Sequence, residues 1–404
     1  MKATNSMLCL NLREANMKKI YGDGIHLDTE GIQELLDSGS PLVELPVPEK
    51  EYLIDKPLRI HSGQEFKLPR YCRIKLAAGS NCHMVTNDDF ENGNSNITLT
   101  GGIWDYNNLE QDKNPQYVKI IEKAVPPRKG TDVTVMLFRN VKDIHISNLT
   151  VKDPVTYAIW LDMASYFTVE NIVFDFNLGN PRPANMDGVH VDGNSHYGTI
   201  RNIKGKCYDD LVALNADEGS DGSISHIDVD GLYAEDCHSA VRLLNRKHKV
   251  TNIHIRNVFG SYYQYVIGIT KYCKDPVDGY FDGIVLDNLH VRKAIRYTYL
   301  SYSEECAINY RILPIVFLEE LINVKSLSIS EVYRVEENVS IPTISVGEGA
   351  TVENLSIKNC YTENNTDTPF ALYEQLGTVK KLVWENNRIV NGELYTPKSL
   401  NIEE

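Results

Sequence analysis

The chain has 404 residues and lacks several features that would place it in a specialised class. No hydrophobic run approaches the roughly 20 residues of a membrane-spanning helix, so we expect no membrane partner. Basic residues are fewer than acidic ones, 41 against 55, and the net charge of −14 argues against nucleic acid as a partner. Proline and glycine are not concentrated in any linker. The hydrophobic content of 42% is ordinary and sufficient for a large core.

The eight cysteines are scattered and form no Cys-x-x-Cys pair, which argues against a zinc site. We predict mostly reduced, buried thiols. Neither a metal ion nor a cofactor is predicted. Near the N-terminus, the apolar patch Met7–Leu12 is too short and too polar for the core of a signal peptide. The sequence therefore predicts a cytoplasmic protein, or a secreted one if a leader has been removed.

A seven-residue pattern of alternating apolar and polar residues recurs nine times. The residues at its fourth position are Ile146, Val169, Ile200, Val229, Ile255, Leu286, Ile329, Ile357 and Trp384. The period of two within each copy indicates a strand with one face buried. The steps between copies are 23, 31, 29, 26, 31, 43, 28 and 27 residues, which is typical of a solenoid with loops of variable length. The asparagine that often follows suits a left-handed bend, and stacked coils would align these asparagines into a ladder.

The segments between these copies, such as Ala158–Leu161 and Leu211–Leu214, also have strand-like alternation. A leucine-rich repeat would have helical segments at these places, and a β-propeller is the other rival. Several strands per coil with an irregular step favour an all-β fold, a right-handed parallel β-helix. We predict a single domain over residues 1–404.

Two parts of the chain depart from the repeat. Residues 1–40 are predicted to form an N-terminal cap, because Asp28 and Thr29 precede an amphipathic segment, Gly31–Leu36, as an N-cap precedes a short helix. Residues 107–132 are charged and contain proline, and we expect an inserted surface loop that could wall a cleft.

The candidate chemistry lies in three carboxylates at the starts of two successive strands. Asp187 precedes Val189 by two residues, and Asp210 precedes Val212 by two residues. Stacked strands are about 4.8 Å apart, so these side chains should lie one above the other, with Asp209 beside them. Three clustered carboxylates repel one another, which raises at least one pKa and separates a general acid from a general base. His238 is expected at the matching place on the next coil.

Aspartates in such a sequence can also have a purely structural role. Aspartates are common turn formers, and Asp162, Asp192 and Asp228 are interpreted in that way. A carboxylate cluster can also bind calcium. For a hydrolase we expect Asp187, Asp209 and Asp210 to point into one open groove.

Three stretches of the chain resemble known families of β-helix proteins. Tyr21–Gln33 and Gly101–Asn108 resemble early coils of pectate-lyase-like β-helix proteins. Residues 151–291 resemble the polygalacturonases, glycoside hydrolase family 28, which carry Asn-Thr-Asp, Gly-Asp-Asp and Gly-His-Gly motifs. The corresponding residues here are Asn185-Met186-Asp187, Tyr208-Asp209-Asp210 and Cys237-His238-Ser239.

The resemblance implies roles for these residues. Asp209 would protonate the leaving oxygen, and Asp187 and Asp210 would hold and deprotonate the attacking water, with inversion at the anomeric carbon. His238 would orient or tune the acid. Asn185, from the first motif, is a candidate for binding substrate.

The resemblance is incomplete where the family binds the galacturonate carboxylate. Both glycines beside the histidine are replaced, and the family's Arg-Ile-Lys element has no clear counterpart. Lys271 is a candidate for the lysine, and Arg242 for the missing arginine. Trp160 and His190, which have outward parity on successive coils, are candidates for contacting sugar.

The sequence therefore predicts an inverting glycoside hydrolase that cleaves a galacturonate-containing, pectin-like oligosaccharide or polysaccharide. A polysaccharide lyase or a fructotransferase-type enzyme on the same fold is the first alternative. A non-catalytic carbohydrate-binding or tailspike-like β-helix is the second, since fold alone does not fix function. The sequence gives no indication of oligomeric state.

Overall fold

The computed structural model describes residues 18–120, 133–295 and 312–396, and these form a right-handed parallel β-helix, as predicted. The helices are α1 (Thr29–Leu36) and α2 (Pro115–Ile120), with a 3-10 turn at Asn108–Glu110. The first strands are β1 (Leu42–Glu44), β2 (Tyr52–Ile54), β3 (Leu58–Ile60), β4 (Gln64–Lys67), β5 (Arg73–Leu76), β6 (Val85–Asn87), β7 (Asn94–Thr100), β8 (Ile103–Asp105), β9 (Met136–Ser147) and β10 (Thr150–Lys152). The middle strands are β11 (Ile159–Asp175), β12 (Val189–Asp192), β13 (His196–Lys206), β14 (Asp210–Asn215), β15 (Ile224–Cys237), β16 (Ser239–Leu244), β17 (Lys249–Tyr262), β18 (Ile267–Thr270) and β19 (Tyr280–Lys293). The last strands are β20 (Val316–Leu318), β21 (Asn323–Glu336), β22 (Ile344–Val346), β23 (Thr351–Lys358), β24 (Tyr361–Asn364), β25 (Ala371–Gln375), β26 (Thr378–Glu385), β27 (Arg388–Val390) and β28 (Glu393–Thr396).

The strands stack into three parallel sheets that enclose the core. Sheet 1 consists of β3, β6, the first parts of β9 and β11, then β12, β14, β16, β18, β20, β22, β25 and β28. Sheet 2 runs from β1, β4 and β7 through the long strands to β23 and β26. Sheet 3 consists of β2, β5, β8, β10, the last parts of the long strands, β24 and β27. The candidate site lies along sheet 1.

The nine predicted repeat positions pair with one another in a single row of sheet 2. Ile146 pairs with Val169, which pairs with Ile200, and the row continues without interruption to Trp384. Leu99 and Phe66 extend it towards the N-terminus. The predicted register is therefore confirmed, including the 43-residue step, because the extra residues of that step fall in the sequence between β19 and β20 rather than within a strand.

The predicted asparagine ladder forms at the bend between sheets 2 and 3. The asparagines of the repeat have left-handed backbone angles, with φ between 49° and 58°; they are Asn148, Asn171, Asn202, Asn257, Asn288, Asn359 and Asn386. Neighbouring side-chain amides are hydrogen-bonded: Asn202 Nδ2 donates to Asn171 Oδ1 at 2.5 Å, and Asn288 Nδ2 donates to Asn257 Oδ1 at 2.7 Å. Gly231 and Glu331 occupy the bend in the two other copies. Asparagine tolerates this conformation and also satisfies the neighbouring coil.

The N-terminal end of the core is covered by α1, as the sequence predicts. Ile32 and Leu36 are fully buried in the hydrophobic core. Asp28 lies at the N-cap position, but its carboxylate makes no capping hydrogen bond to the helix. Instead it accepts from the amides of Tyr21, Gly22 and Leu53 and so ties the entering chain to β2. The expected local cap is thus replaced by contacts between segments distant in sequence.

The inserted segment is packed against the body of the solenoid over the part that the structure describes. Asn108 and Asn114 are buried, and the Asn114 side-chain amide donates to the carbonyl of Ala184 at 2.6 Å. The Asn114 backbone amide donates to the Asn180 carbonyl at 2.9 Å. These contacts fix the loop that leads into Asp187, so the predicted loop does border the candidate site. Residues 121–132 lie outside the described residues.

Neither described helix is long and apolar enough to cross a membrane. The six cysteines in the described parts of the chain are free thiols: Cys72, Cys82, Cys207, Cys237, Cys273 and Cys360. Cys9 and Cys306, like the patch Met7–Leu12, lie outside the described residues.

Replacing Asn202 tests the ladder. Asn202→Ala removes the hydrogen bond to Asn171 and places alanine, which tolerates a left-handed backbone less well than asparagine, at the bend. We therefore expect the free energy of unfolding to fall by ~2–3 kcal/mol. Asn202→Gly removes the same hydrogen bond without that strain and should be less destabilised. Urea unfolding followed by circular dichroism measures both. Equal losses in the two variants would contradict a strained bend.

Candidate functional site

The three predicted aspartates lie together at the N-terminal ends of neighbouring strands in sheet 1. Val189 of β12 pairs with Val212 of β14, which places Asp187 and Asp210 at the same register on adjacent coils. The amide of Gly188 donates to the carbonyl of Asp210 at 2.9 Å and joins the two segments directly. The predicted stacking of these two aspartates is confirmed.

The cluster is covered rather than open. Asp187 and Asp210 are fully buried, and Asp209 is 9% exposed. The expectation of an open groove is therefore wrong for the first two carboxylates. Tyr272, which is 42% exposed, packs its ring against the Arg242 guanidinium, 5.2 Å from the ring centroid, and its hydroxyl lies 3.2 Å from that of Tyr265.

Asp187 is held by a buried histidine. His190 is 1% exposed, and its Nδ1 lies 2.7 Å from Asp187 Oδ2, while its Nε2 lies 3.1 Å from Asp192 Oδ1. Burial lowers the pKa of His190, but Asp192 and Asp187 more than offset this effect and raise it well above the usual value. The ring of Tyr157 stacks on the imidazole with centroids 3.9 Å apart. Asp187 therefore faces a protonated imidazole.

Asp210 is held by a different cation. Arg242 Nε lies 2.9 Å from Asp210 Oδ2, and Arg242 is itself only 8% exposed. The hydroxyls of Ser239 and Tyr265 both donate to Asp210 Oδ1, the latter at 3.2 Å. Burial raises the pKa of Asp210 to about 6, although Arg242 and the two hydroxyl groups act in the opposite direction. Ser239 replaces a glycine of the family motif, so this departure adds a hydrogen-bond donor to the carboxylate.

Glu218 connects the two cations. Its Oε2 is 3.6 Å from His190 Nε2 and 3.8 Å from Arg242 Nη2, and it accepts a hydrogen bond from Asn215 Nδ2 at 2.6 Å. Burial raises the pKa of Glu218, but Arg242 and His190 outweigh that effect and hold it below the usual value. Negative and positive groups therefore alternate along the cluster, from Asp187 through His190, Glu218 and Arg242 to Asp210.

Asp209 differs from its two neighbours because, within the described parts of the chain, no lysine or arginine makes an ion pair with it and its one histidine contact is long. His238 Nδ1 lies 3.4 Å from Asp209 Oδ1, and the imidazole packs edge-on against Tyr263, 5.1 Å away. Burial, followed by the charges of Asp187 and Asp210, raises the pKa of Asp209 well above its usual value. Burial thus favours the protonated form of Asp209, while its two neighbours have cationic partners.

The remaining predicted binding residues are placed as follows. Trp160 pairs with His190 in register, as its parity predicts, and its indole Nε1 donates to Asp192 Oδ2 at 2.6 Å. Asn185 Nδ2 donates to the Tyr157 hydroxyl at 3.4 Å. Lys271 is fully buried, and its ammonium donates to the carbonyl of Cys273. The ammonium of Lys271 therefore already has a backbone partner. Contact of Trp160, Asn185, His190, Arg242 and Lys271 with substrate stays a prediction.

Sequence reasoning missed several members of the cluster. Asp192 and Asp162 are not turn formers: both are buried strand residues, and Asp162 accepts hydrogen bonds from the amide and hydroxyl of Ser220. Asp228 also lies within a strand, where it pairs with Arg256. The outward parity of Asp162 and Asp192 in sheet 1 was the signal available for them. Glu218 lies in a loop, where no repeat pattern indicates its direction.

Three groups of side chains in the described parts of the chain have the spacing of metal ligands. Two of them, His190–Asp192–Glu218 and Asp209–Asp210–His238, belong to the cluster already described. In that cluster the cationic side chains of His190 and Arg242 balance carboxylate charge without a metal ion. The third group, Asp217–Asp221–His248, lies outside it.

The part of the chain that carries this site is similar to a known family. Residues 121–258 match the model of glycosyl hydrolases family 28. The matched range contains Asp187, Asp209, Asp210 and His238, and the match confirms the resemblance predicted from the motifs. It covers the site-bearing coils and not the whole chain.

More distant likenesses extend over most of the fold. The putative phage-related protein YobO of Bacillus subtilis (strain 168) is 24% identical over an alignment of 258 residues, and the alignment covers 50% of this chain and 30% of that protein. This chain thus spans about a third of the length of that relative. The exopolygalacturonase structure from Thermotoga maritima has a TM-score of 0.53 at 14% identity, over 93% of both chains. The family 28 exopolygalacturonase of Yersinia enterocolitica has a TM-score of 0.50 at 14% identity, over 93% of this chain and 77% of that one. At such identities these structures show a shared fold alone.

The raised pKa of Asp209 predicts that the stability of the folded protein depends on pH. A carboxyl whose pKa is higher in the folded than in the unfolded protein lowers the stability of the fold as the pH rises. The loss develops between the pKa of the unfolded state and the pKa of the folded state. We expect Asp209→Asn to flatten the fall in melting temperature between pH 4 and pH 9. Asp367→Asn, at an exposed site, should leave the wild-type curve unchanged. Parallel curves for Asp209→Asn and wild type would contradict the assignment.

Proposed function

We propose that the protein is an inverting glycoside hydrolase that acts on a galacturonate-containing, pectin-like glycan. The observation that carries this proposal is the unequal partnering of the three carboxylates. Asp187 and Asp210 closely face His190 and Arg242, whereas Asp209 has only the longer contact to His238 among the residues that the structure describes. Glycoside hydrolysis needs one protonated and one ionised carboxyl on either side of the scissile bond. The match to glycosyl hydrolases family 28 supports the choice of substrate class.

In the proposed reaction, Asp209 donates its proton to the leaving glycosidic oxygen. Asp187 and Asp210 orient and deprotonate water, which attacks the anomeric carbon from the opposite face. Asp187 Oδ1 is buried without a hydrogen bond from the described residues, whereas Asp210 Oδ2 faces Arg242 Nε at 2.9 Å. Buried acceptors of this kind are expected to take a proton donor such as water. Since the carboxylates of Asp187 and Asp210 are both buried, productive binding of substrate requires the side chains that cover these carboxylates to move.

His190 and Arg242 act as positioning residues in this scheme. Each cation stabilises the ionised form of the carboxylate that it contacts, and Glu218 restrains both cations. The glycan's own carboxylate would need a cation that is not already neutralised. We expect the charge balance of the cluster to be disturbed least if substrate approaches from the side of Asp209, the most exposed of the three carboxylates.

Turnover by single variants tests the proposal. Asp187→Asn, Asp209→Asn and Asp210→Asn should each lower kcat by roughly 10²–10⁴-fold on galacturonate oligosaccharides, because each removes a proton-transfer group. Asp228→Asn, a strand aspartate of sheet 2, is the matched control and should retain activity. Proton NMR of the first products measures the rate and shows the anomer formed. Equal activity of Asp209→Asn and wild type, retention of configuration, or unsaturated products would each refute it.

The pH profile gives an independent test of the base. Asp210 must be ionised, so the ascending limb of kcat/KM should lie near the pKa of about 6. Tyr265→Phe removes a hydrogen bond that lowers this pKa, and the limb should therefore move to higher pH. Tyr106→Phe removes a buried hydroxyl remote from the cluster and should not move it. A limb that stays in place in Tyr265→Phe would show that Asp210 is not the titrating base.

A further inference from the structure

A second polar cluster lies outside the carboxylate site, on the loops that flank β14 and β16. Asp217 follows β14, and His248 precedes β17 on the next coil. Asp217 Oδ1 and His248 Nε2 face each other at 3.6 Å, which is too long for a hydrogen bond. An oxygen of Asp221 completes a set of three atoms that lie within 4.8 Å of one another.

The two facing atoms are unsatisfied. The side chain of Asp217 is only 2% exposed, and its Oδ1 has no hydrogen-bond partner among the described residues. His248 Nε2 is likewise buried without a hydrogen bond in the described part of the chain. Buried polar atoms are normally paired, so a facing pair of this kind needs a third partner between them.

The separation suits two ligands of one metal ion. Zinc binds nitrogen and oxygen ligands at about 2.0–2.2 Å, and at a tetrahedral angle two such ligands are roughly 3.4 Å apart. The other carboxylate oxygen, Asp217 Oδ2, accepts from the backbone amides of Arg246 and Lys247, which fixes the orientation of the ligand. Hydrogen bonds that orient a ligand through its other polar atom are a common feature of metal sites.

We propose that Asp217, Asp221 and His248 bind a divalent transition-metal ion of the zinc type. The imidazole nitrogen favours such an ion over calcium or magnesium, which prefer sites made of oxygen alone. The side chain of Asp221 is 55% exposed and provides the route for entry of the ion. The ligands are aspartate and histidine, so the lack of paired cysteines in the sequence does not bear on this site.

A metal ion here would act on the neighbouring carboxylate cluster through the loop between β14 and β15. That loop also carries Glu218, which contacts His190 and Arg242, and Ser220, which bonds to Asp162. Joining Asp217 to His248 connects this loop to the turn before β17. The ion therefore restrains the position of Glu218 without touching the carboxylates that we place in catalysis.

The main competing explanation is an ordinary ion pair. Lys247 Nζ lies 3.5 Å from Asp221, and a protonated His248 would pair with Asp217 directly. An ion pair and a metal site respond differently to added zinc, since only the metal site gains stability from it. The measurement therefore uses zinc ions themselves as the probe.

Isothermal titration calorimetry of zinc into the full, chelator-treated chain tests the proposal. We expect wild type to show one class of site that is weakened more than roughly tenfold in His248→Gln and in Asp221→Asn. Asp221 and His248 are partly exposed, so neither variant should prevent folding. His254→Gln, at an exposed histidine outside all three groups, should bind zinc as wild type does.

Thermal unfolding supplies a second readout. Zinc should raise the melting temperature of wild type and of His254→Gln but not that of His248→Gln, whereas all three should melt alike in the presence of chelator. Binding that is equal in wild type and His248→Gln, or no binding at all, overturns the proposal. None of these results depends on turnover, so they remain distinct from the test of the hydrolase.

Discussion

The structure depends on one constraint, the equal register of stacked parallel strands. Each coil places its residues about 4.8 Å from those of the next, so any side-chain type that recurs at one position becomes a continuous row. Apolar residues form the core row from Ile146 to Trp384, and asparagines form the ladder at the bend. The same constraint brings two aspartates, 23 residues apart in sequence, to one level of sheet 1. Core, bend and candidate site therefore have a common geometric origin.

Burying several carboxylates at that level requires compensation. An isolated buried charge is costly, and the fold offsets this cost with His190 for Asp187 and Arg242 for Asp210. No cation of comparable strength contacts Asp209 among the described residues, so its burial raises the pKa and favours the protonated carboxyl. The proposed division between one acid and two carboxylates with cationic partners follows from which neighbours each side chain has. It does not require any difference in residue type.

The parts of this arrangement that could be predicted from sequence are those fixed by the repeat. The register of Asp187 over Asp210, the outward parity of Trp160 and His190, and the capping helix all follow from periodicity and strand stacking. The role of Glu218 could not be predicted in this way, because its loop has no periodicity and its contacts are with two other coils. The burial of Lys271 escaped prediction for a similar reason: the turn after β18 directs its ammonium to a backbone carbonyl. Interpreting Asp192 as a turn former failed because a preference of the residue type was set above its strand parity.

These observations bear on why the fold alone is a poor guide to activity here. A β-helix shares its coil geometry with proteins at 14% identity, and that geometry is carried by the core row and the ladder. The charge pattern on sheet 1 is carried by other positions, which the core leaves free to vary. Substituting Ser239 for a motif glycine adds a donor to Asp210 without altering the strand, and His190 adds a cation beside Asp187. The chemistry of such a protein is therefore decided by the residues that face outward from sheet 1 and by the loops that cross them.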